Sequence, residues 1–217
     1  MSRYYPAYLE LTGRRCVVIG AGEVAERKVT QLLASGADVM LVSPSATPEL
    51  KRLAESGELR WIRRSYVHGD LAGAVLAVAA TDDEAVNRAV HAEAEREKTL
   101  LNVVDVPSLC GFIAPSVVER GPVTVAISTA GTSPALARKL RELMGDTQDC
   151  RCLAWASAIE VLSEVRSEMR GRNERATPEA WQDAMDTELL ELVEAGRAGE
   201  AKARLLDALA PGAARTP

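Results

Sequence analysis

Gly20, Gly22 and Ala25 stand in a G-x-G-x-x-A arrangement directly after the apolar run Val17-Val18-Ile19. Each has a task in holding a dinucleotide. Gly20 permits a tight turn, Gly22 lets the backbone approach a pyrophosphate, and the small Ala25 lets helix and strand pack together. A helix opening near residue 24 adds unpaired N–H groups and the positive end of its dipole to that phosphate site. For so short a motif, a tight turn with no ligand is the plain alternative. Strand, turn and helix come in the required order here, and a second strand over 39–42 follows Gly36. That context favours dinucleotide binding.

Three more segments end apolar runs of strand type: Ser43-Pro44-Ser45, Thr81-Asp82-Asp83 and Asn102-Val103-Val104-Asp105. In a parallel sheet such strand ends lie at the carboxyl edge, facing the ligand crevice. The second strand of such domains normally ends in an acid that holds the ribose hydroxyls. Ser43 takes that place here, with no Arg immediately beside it in the chain. Ser43 and Ser45 can bond ribose or backbone, so spacing leaves NAD and NADP open. Thr81 and Asp82 can cap the next helix, line the cofactor cleft, or do both. Asp105 can manage a proton as hydride leaves a substrate, or it can be a turn residue bonding its own backbone ahead of Pro107. Thr129-Ala130-Gly131-Thr132-Ser133-Pro134 offers a glycine, hydroxyls and a helix start to a carboxylate, with Arg138 and Lys139 one turn further on. An ordinary capped helix is the alternative there. His68 and His91 have no second ligand at metal spacing, and Cys150-Arg151-Cys152 lacks the two-residue gap of a zinc or redox pair, so no metal site is expected. Cys110, near Asp105, can either see substrate or serve as a small core residue.

Strands are predicted over 16–19, 39–42, 59–62, 74–80 and 100–104, and helices over 24–34, 48–55 and 84–96. Thr81-Asp82-Asp83 supplies the N-cap chemistry for the last of these. Alternating strands and helices imply a parallel sheet with right-handed crossovers, a Rossmann-type α/β domain spanning 1–113. Residues 114–147 are expected to form a small α+β dimerisation and substrate segment, with strands over 113–118 and 123–128 and a helix led by Ser133 and Pro134. An all-helical C-terminal domain, 148–217, follows, with helices over 153–170, 178–195 and 200–209.

The 217-residue chain carries a formal charge of −5, which argues against a general nucleic-acid or anionic-membrane binder. Its composition is 47% hydrophobic but only 4% aromatic, so Ala, Val and Leu must fill the core, as suits buried parallel strands. The polar start over 1–6 is unlike a secretory leader, and the longest apolar stretch, 72–80, is too short to span a bilayer. The four cysteines have no disulfide-framework spacing. A cytoplasmic protein with reduced thiols is expected.

Five segments together resemble the precorrin-2 dehydrogenase family, which includes bifunctional dehydrogenase/ferrochelatases and the N-terminal module of sirohaem synthases. They are Gly20-Ala21-Gly22-Glu23-Val24-Ala25-Glu26-Arg27-Lys28, Ala79-Ala80-Thr81-Asp82-Asp83, Asn102-Val103-Val104-Asp105, Phe112-Ile113-Ala114-Pro115-Ser116, and Val125-Ala126-Ile127-Ser128-Thr129-Ala130-Gly131-Thr132-Ser133-Pro134. They run in family order over about residues 5–145. The resemblance implies NAD-dependent oxidation of precorrin-2 to sirohydrochlorin, with chelation of Fe²⁺ or Co²⁺ or a non-catalytic sensor as alternatives. It places Gly20, Gly22, Glu23 and Val24 at the cofactor turn, with Ser43, Pro44 and Ser45 on the adenosine side and Thr81 and Asp82 beside them. It gives the proton-handling role to Asp105. For the polyacidic substrate it puts forward Asn102, Ser116, Thr129, Gly131, Thr132 and Ser133. It also implies a homodimer.

Overall fold

A computed structural model of the chain describes residues 4–145 and 151–210. The Cys150–Cys152 pair lies outside the side chains it describes. Two compact units divide the chain, one of residues 1–114 with 130–132, the other of 115–129 with 133–217.

The first unit is a doubly wound α/β layer structure. Its strands are β1 (Arg15–Ile19), β2 (Asp38–Val42), β3 (Arg60–Ile62), β4 (Leu76–Ala79) and β5 (Leu100–Val103), and its helices α1 (Glu23–Ala34), α2 (Pro48–Glu55) and α3 (Glu84–Glu97). All strands pair in parallel in the order β3-β2-β1-β4-β5. Strand order therefore reverses between β1 and β4, the switch point at which such sheets open a ligand crevice.

Side-chain alternation sorts the core into two layers. Val18, Val39, Leu41 and Val78 meet Ala25, Val29 and Leu32 of α1 and Leu50 and Leu53 of α2 on one face. Val17, Ile19, Val42, Ala77, Ala79, Leu101 and Val103 meet Val90 and Ala94 of α3 on the other. Strands β1, β2 and β4 are buried on both faces, which explains their near-continuous apolar sequence. Strand β4 is shorter than the 74–80 run, although Val75 N–H and Ala80 N–H, just beyond its two ends, still bond Arg15 O at 3.0 Å and Ile19 O at 2.8 Å.

The loop from β3 to β4 is tied down by two buried acids. Glu93 of α3 is fully buried and accepts from Tyr66 Oη (2.5 Å), Leu71 N (2.8 Å) and Gly69 N (3.1 Å), with His68 Nδ1 at 3.1 Å. Asp70 takes both arms of Arg64, at 2.8 and 2.6 Å. Burial alone would raise the Glu93 pKa, yet these donors outweigh it and hold the carboxyl below its usual range. Burial and the Glu93 carboxylate push the Tyr66 phenol up.

The second unit begins with an antiparallel pair, β6 (Ser116–Arg120) and β7 (Val123–Ile127), followed by α4 (Pro134–Gly145). Pro115 delays β6 to residue 116, later than the expected start at 113, because proline has no N–H for a ladder. Helices α5 (Ile159–Gly171), α6 (Pro178–Ala184), α7 (Thr187–Glu194) and α8 (Ala198–Leu209) pack around Val161, Val165, Leu189 and Leu205. The single helix expected over 178–195 is two. Asp186 accepts from Leu189 N at 2.9 Å and so caps a new start. Likewise the expected helix from 153 begins as a 3-10 segment, Arg151–Ala158.

Candidate dinucleotide site

The glycine turn sits at the switch point and is fixed from both sides. Gly20 has φ +94°, and a Cβ on it would lie 2.2 Å from Ala80 O, so no other residue fits between β1 and the end of β4. Gly22 has ordinary extended backbone as the N-cap of α1, and a Cβ there would meet open space. Its role is the room it leaves rather than a special conformation. No side chain caps α1, so its first N–H groups point into that room. A pyrophosphate fits this cradle. Glu23 is exposed in the first helical turn, Val24 half-buried, and Ala25 fully buried against the sheet.

The β2–α2 loop is held against the same turn. Thr47 N–H bonds Ala21 O at 3.2 Å, Thr47 Oγ1 donates to Glu26 Oε2 at 2.5 Å, and the same hydroxyl caps α2 through Leu50 N. Ser43 is buried at the end of β2, its carbonyl accepting from Trp61 Nε1 at 2.9 Å, whereas Pro44 and Ser45 are exposed. Sequence reading missed Thr47 and Glu26; a Thr directly ahead of Pro48 was the available signal.

Beyond β4, Asp83 is the cap, accepting from Ala85 N at 2.8 Å and Val86 N at 3.1 Å. Thr81 supports it through its hydroxyl, which accepts from Asp83 N at 3.3 Å. Asp82 is exposed and takes no part in capping. Asn87 was also missed. Its Nδ2 donates to Thr81 O at 3.0 Å while its Oδ1 is buried without a partner among the described residues. The peptide group is planar and trans, so a Thr81 carbonyl turned toward Asn87 turns the Asp82 N–H the opposite way. Among the described residues no acceptor meets that N–H. The visible signal was a polar residue on the apolar Val90–Ala94 face of α3.

Asp105 is exposed at φ +59°, one of four non-glycine residues of positive φ among those described. Its carboxylate accepts no hydrogen bond from the described residues, so it is not a turn aspartate tied to its own backbone. The turn is braced from beneath instead. Cys110 Sγ accepts from Val103 N at 3.2 Å and lies 3.2 and 3.4 Å from the carbonyls of Val103 and Val106. Asn102 lies within β5 and donates to Phe112 O at 3.1 Å. Its amide serves the loop over β5, alongside a cavity of about 120 Å³ that Lys28 also lines. Burial, then the neighbouring Arg27 charge, holds the Lys28 amine below its usual range.

In the second unit, Thr129 Oγ1 donates to Ser133 O at 3.0 Å and accepts from Ser133 N at 3.1 Å, and Ser133 Oγ caps α4 through Leu136 N at 3.2 Å. These two hydroxyls close the loop on itself. Between them Ala130 and Gly131 both have positive φ, and Gly131 and Thr132 are exposed. Ser116 opens β6 opposite Ile127. Among the described residues no group of three His, Cys, Asp or Glu side chains is placed to hold a metal ion, and no helix is long and apolar enough to cross a membrane.

A family model described as "Putative NAD(P)-binding" matches residues 7–116, half of the chain. The chain belongs to this NAD(P)-binding family. The matched span contains the glycine turn, Ser43, Thr81 and Asp105. A second model, "Sirohaem biosynthesis protein central", matches 120–146 and so takes in the Thr129–Ser133 loop. Among curated relatives, a siroheme synthase of Methylococcus capsulatus is 39% identical over 98% of this chain and 44% of its own length. One from Methylobacillus flagellatus is 48% identical over 63% of this chain and 29% of its own. The chain thus spans less than half the length of these relatives. A solved structure titled "SirC, precorrin-2 dehydrogenase" aligns with TM-score 0.75 and 25% identity, covering 93% of this chain and 98% of that one. The expected α/β fold with a small antiparallel sheet and a helical remainder agrees with that likeness.

Proposed function

We propose that this chain is a precorrin-2 dehydrogenase, oxidising precorrin-2 to sirohydrochlorin with NAD on the route to sirohaem. The observation that carries the reading is an Asp105 carboxylate, unbonded among the described residues, at the end of β5, two strands along the sheet from the open glycine turn of β1. The family match to an NAD(P)-binding model and the likeness to SirC support it.

The reaction removes one hydride and one proton from the macrocycle. NAD, when bound, supplies the hydride acceptor. The chain's own residues bind, orient and move the proton. Gly20 and Gly22 give the pyrophosphate its place, and the first N–H groups of α1 donate to it. The Asp82 N–H, aimed by Asn87, offers a further donor from the β4 side of the crevice. Among the described residues none hydrogen-bonds the Asp105 carboxylate, which leaves it open to take the proton. The Asp105 backbone is left-handed at this position, and Cys110 keeps the turn in shape. Ser116, Gly131 and Thr132 belong to the substrate side of this reading, while Thr129 and Ser133 shape the loop that presents them.

A homodimer completes it. Leu136, Leu140 and Leu143 form an exposed stripe on α4, and among the described residues no third strand joins either edge of the two-stranded β6–β7 sheet. A lone pair of strands is marginal by itself, and such a stripe favours burial against another copy. Anaerobic turnover of precorrin-2 by the purified chain, followed by the absorbance of NADH and of sirohydrochlorin, is the test. Stoichiometric appearance of both is expected. Dinucleotide binding with no oxidation would favour a sensor instead.

A further inference from the structure

Arg63 and Ser43 are far apart in the chain but adjacent in the sheet. Strands β2 and β3 run in register with Val42 opposite Ile62, so Ser43 and Arg63 leave the carboxyl edge side by side. Ser43 N–H still bonds Ile62 O at 3.2 Å, which keeps the two strands together at that point. The guanidinium of Arg63 lies over the Trp61 ring, 4.4 Å from its centroid. Trp61 is itself anchored, its indole N–H donating to Ser43 O at 2.9 Å. A stacked arginine of this kind is held in place by the ring without using up its N–H donors.

Those donors are uncommitted. The next residue, Arg64, is taken bidentately by Asp70, whereas Arg63 is exposed and has no carboxylate partner among the described residues. The second strand ends in Ser43 rather than in an acid, so it does not itself supply the carboxylate that holds the ribose hydroxyls in NAD-selective domains. An acid there repels a 2′-phosphate, and a nearby arginine accepts one. Here the acid is absent and the arginine present.

We propose that the Trp61–Arg63 stack is a 2′-phosphate receptor, so that the crevice takes NADP as well as NAD and Arg63 determines that choice. The proposal rests on the dinucleotide reading of the crevice and adds its specificity. Isothermal titration of the purified chain with adenosine 2′,5′-bisphosphate and with 5′-ADP separates the two. Wild type is expected to bind both, and Arg63→Ser to weaken the 2′,5′-bisphosphate on the order of tenfold relative to 5′-ADP, as loss of a charge-assisted contact implies. Arg63→Lys, which keeps the charge and loses the fork, should fall between them. Turnover with NADP and NAD in parallel should show the same change in the ratio of kcat/KM. Because each readout is a ratio within one variant, a general loss of folded protein cancels. Binding of 5′-ADP with none of the 2′,5′-bisphosphate, or an Arg63→Ser ratio equal to that of wild type, would overturn the proposal while leaving the crevice intact. Binding of neither nucleotide would bring down the dinucleotide reading itself.

Discussion

In the proposed reaction Asp105 handles the proton and Gly20 shapes the cofactor turn, and each makes a separable prediction. Asp105→Asn keeps the size and the turn but removes the base. Precorrin-2 oxidation is expected to fall by about 10²–10⁴-fold, the range for removing a general base, with dinucleotide affinity unchanged by titration. Wild-type turnover in that variant would remove the proton role. Gly20→Ala puts a methyl 2.2 Å from Ala80 O at a φ of +94°. The β1–β4 edge must then open, so both thermal midpoint and dinucleotide affinity should drop together. By contrast Gly22→Ala meets open space and should cost little stability, its effect appearing in ligand affinity alone. The comparison of these two variants tells backbone need from ligand room.

At the scale of elements, α3 ties the sheet's carboxyl edge to the β3–β4 loop, through Asn87 at one end and Glu93 at the other. Asn87→Leu removes the bond to Thr81 O and also the unpaired buried Oδ1. A half-satisfied buried amide contributes little net stability. The melting temperature should therefore hold or rise while dinucleotide affinity weakens roughly 3- to 10-fold, the worth of one hydrogen bond. Glu93 behaves in the opposite way. Its folded pKa lies below the ordinary 4.5 despite burial, because four donors favour the carboxylate. The stabilisation is thus fully present above pH 4.5 and lost as pH falls through the lower, folded value. Glu93→Gln should cost about 1–3 kcal/mol at pH 7, and the gap between the two proteins in thermal midpoint should close on acidification. A gap independent of pH would show that shape, not charge, holds the loop.

For the whole molecule, the α4 stripe bears on assembly. Leu136 is 50% exposed, and Leu140 and Leu143 each 37%, one above another at helical spacing. Replacing Leu136 and Leu140 by Lys should convert the proposed dimer to a monomer in sedimentation equilibrium with α-helical circular dichroism retained. A wild-type chain that sediments as a monomer at micromolar concentration would remove the dimer.

Much was legible in the chain alone. The turn residues, the apolar runs of β1, β2 and β4, and the period of α1, α2 and α3 each depend on neighbours a few residues away, and sequence carries that information directly. The order strand–glycine turn–helix thus marked the turn at which the proposed pyrophosphate site lies. Proline at 115 and the cap at Asp186 displaced two boundaries, since local pattern marks elements better than their ends. Pairing between distant strands was not legible. Only the tertiary structure set Arg63 beside Ser43, Asn87 beneath Thr81, and Cys110 under the Asp105 turn. Those contacts join residues 4 to 20 positions apart, and they are decided by sheet register, loop path and helix rotation, which follow from how the entire core packs rather than from any one segment.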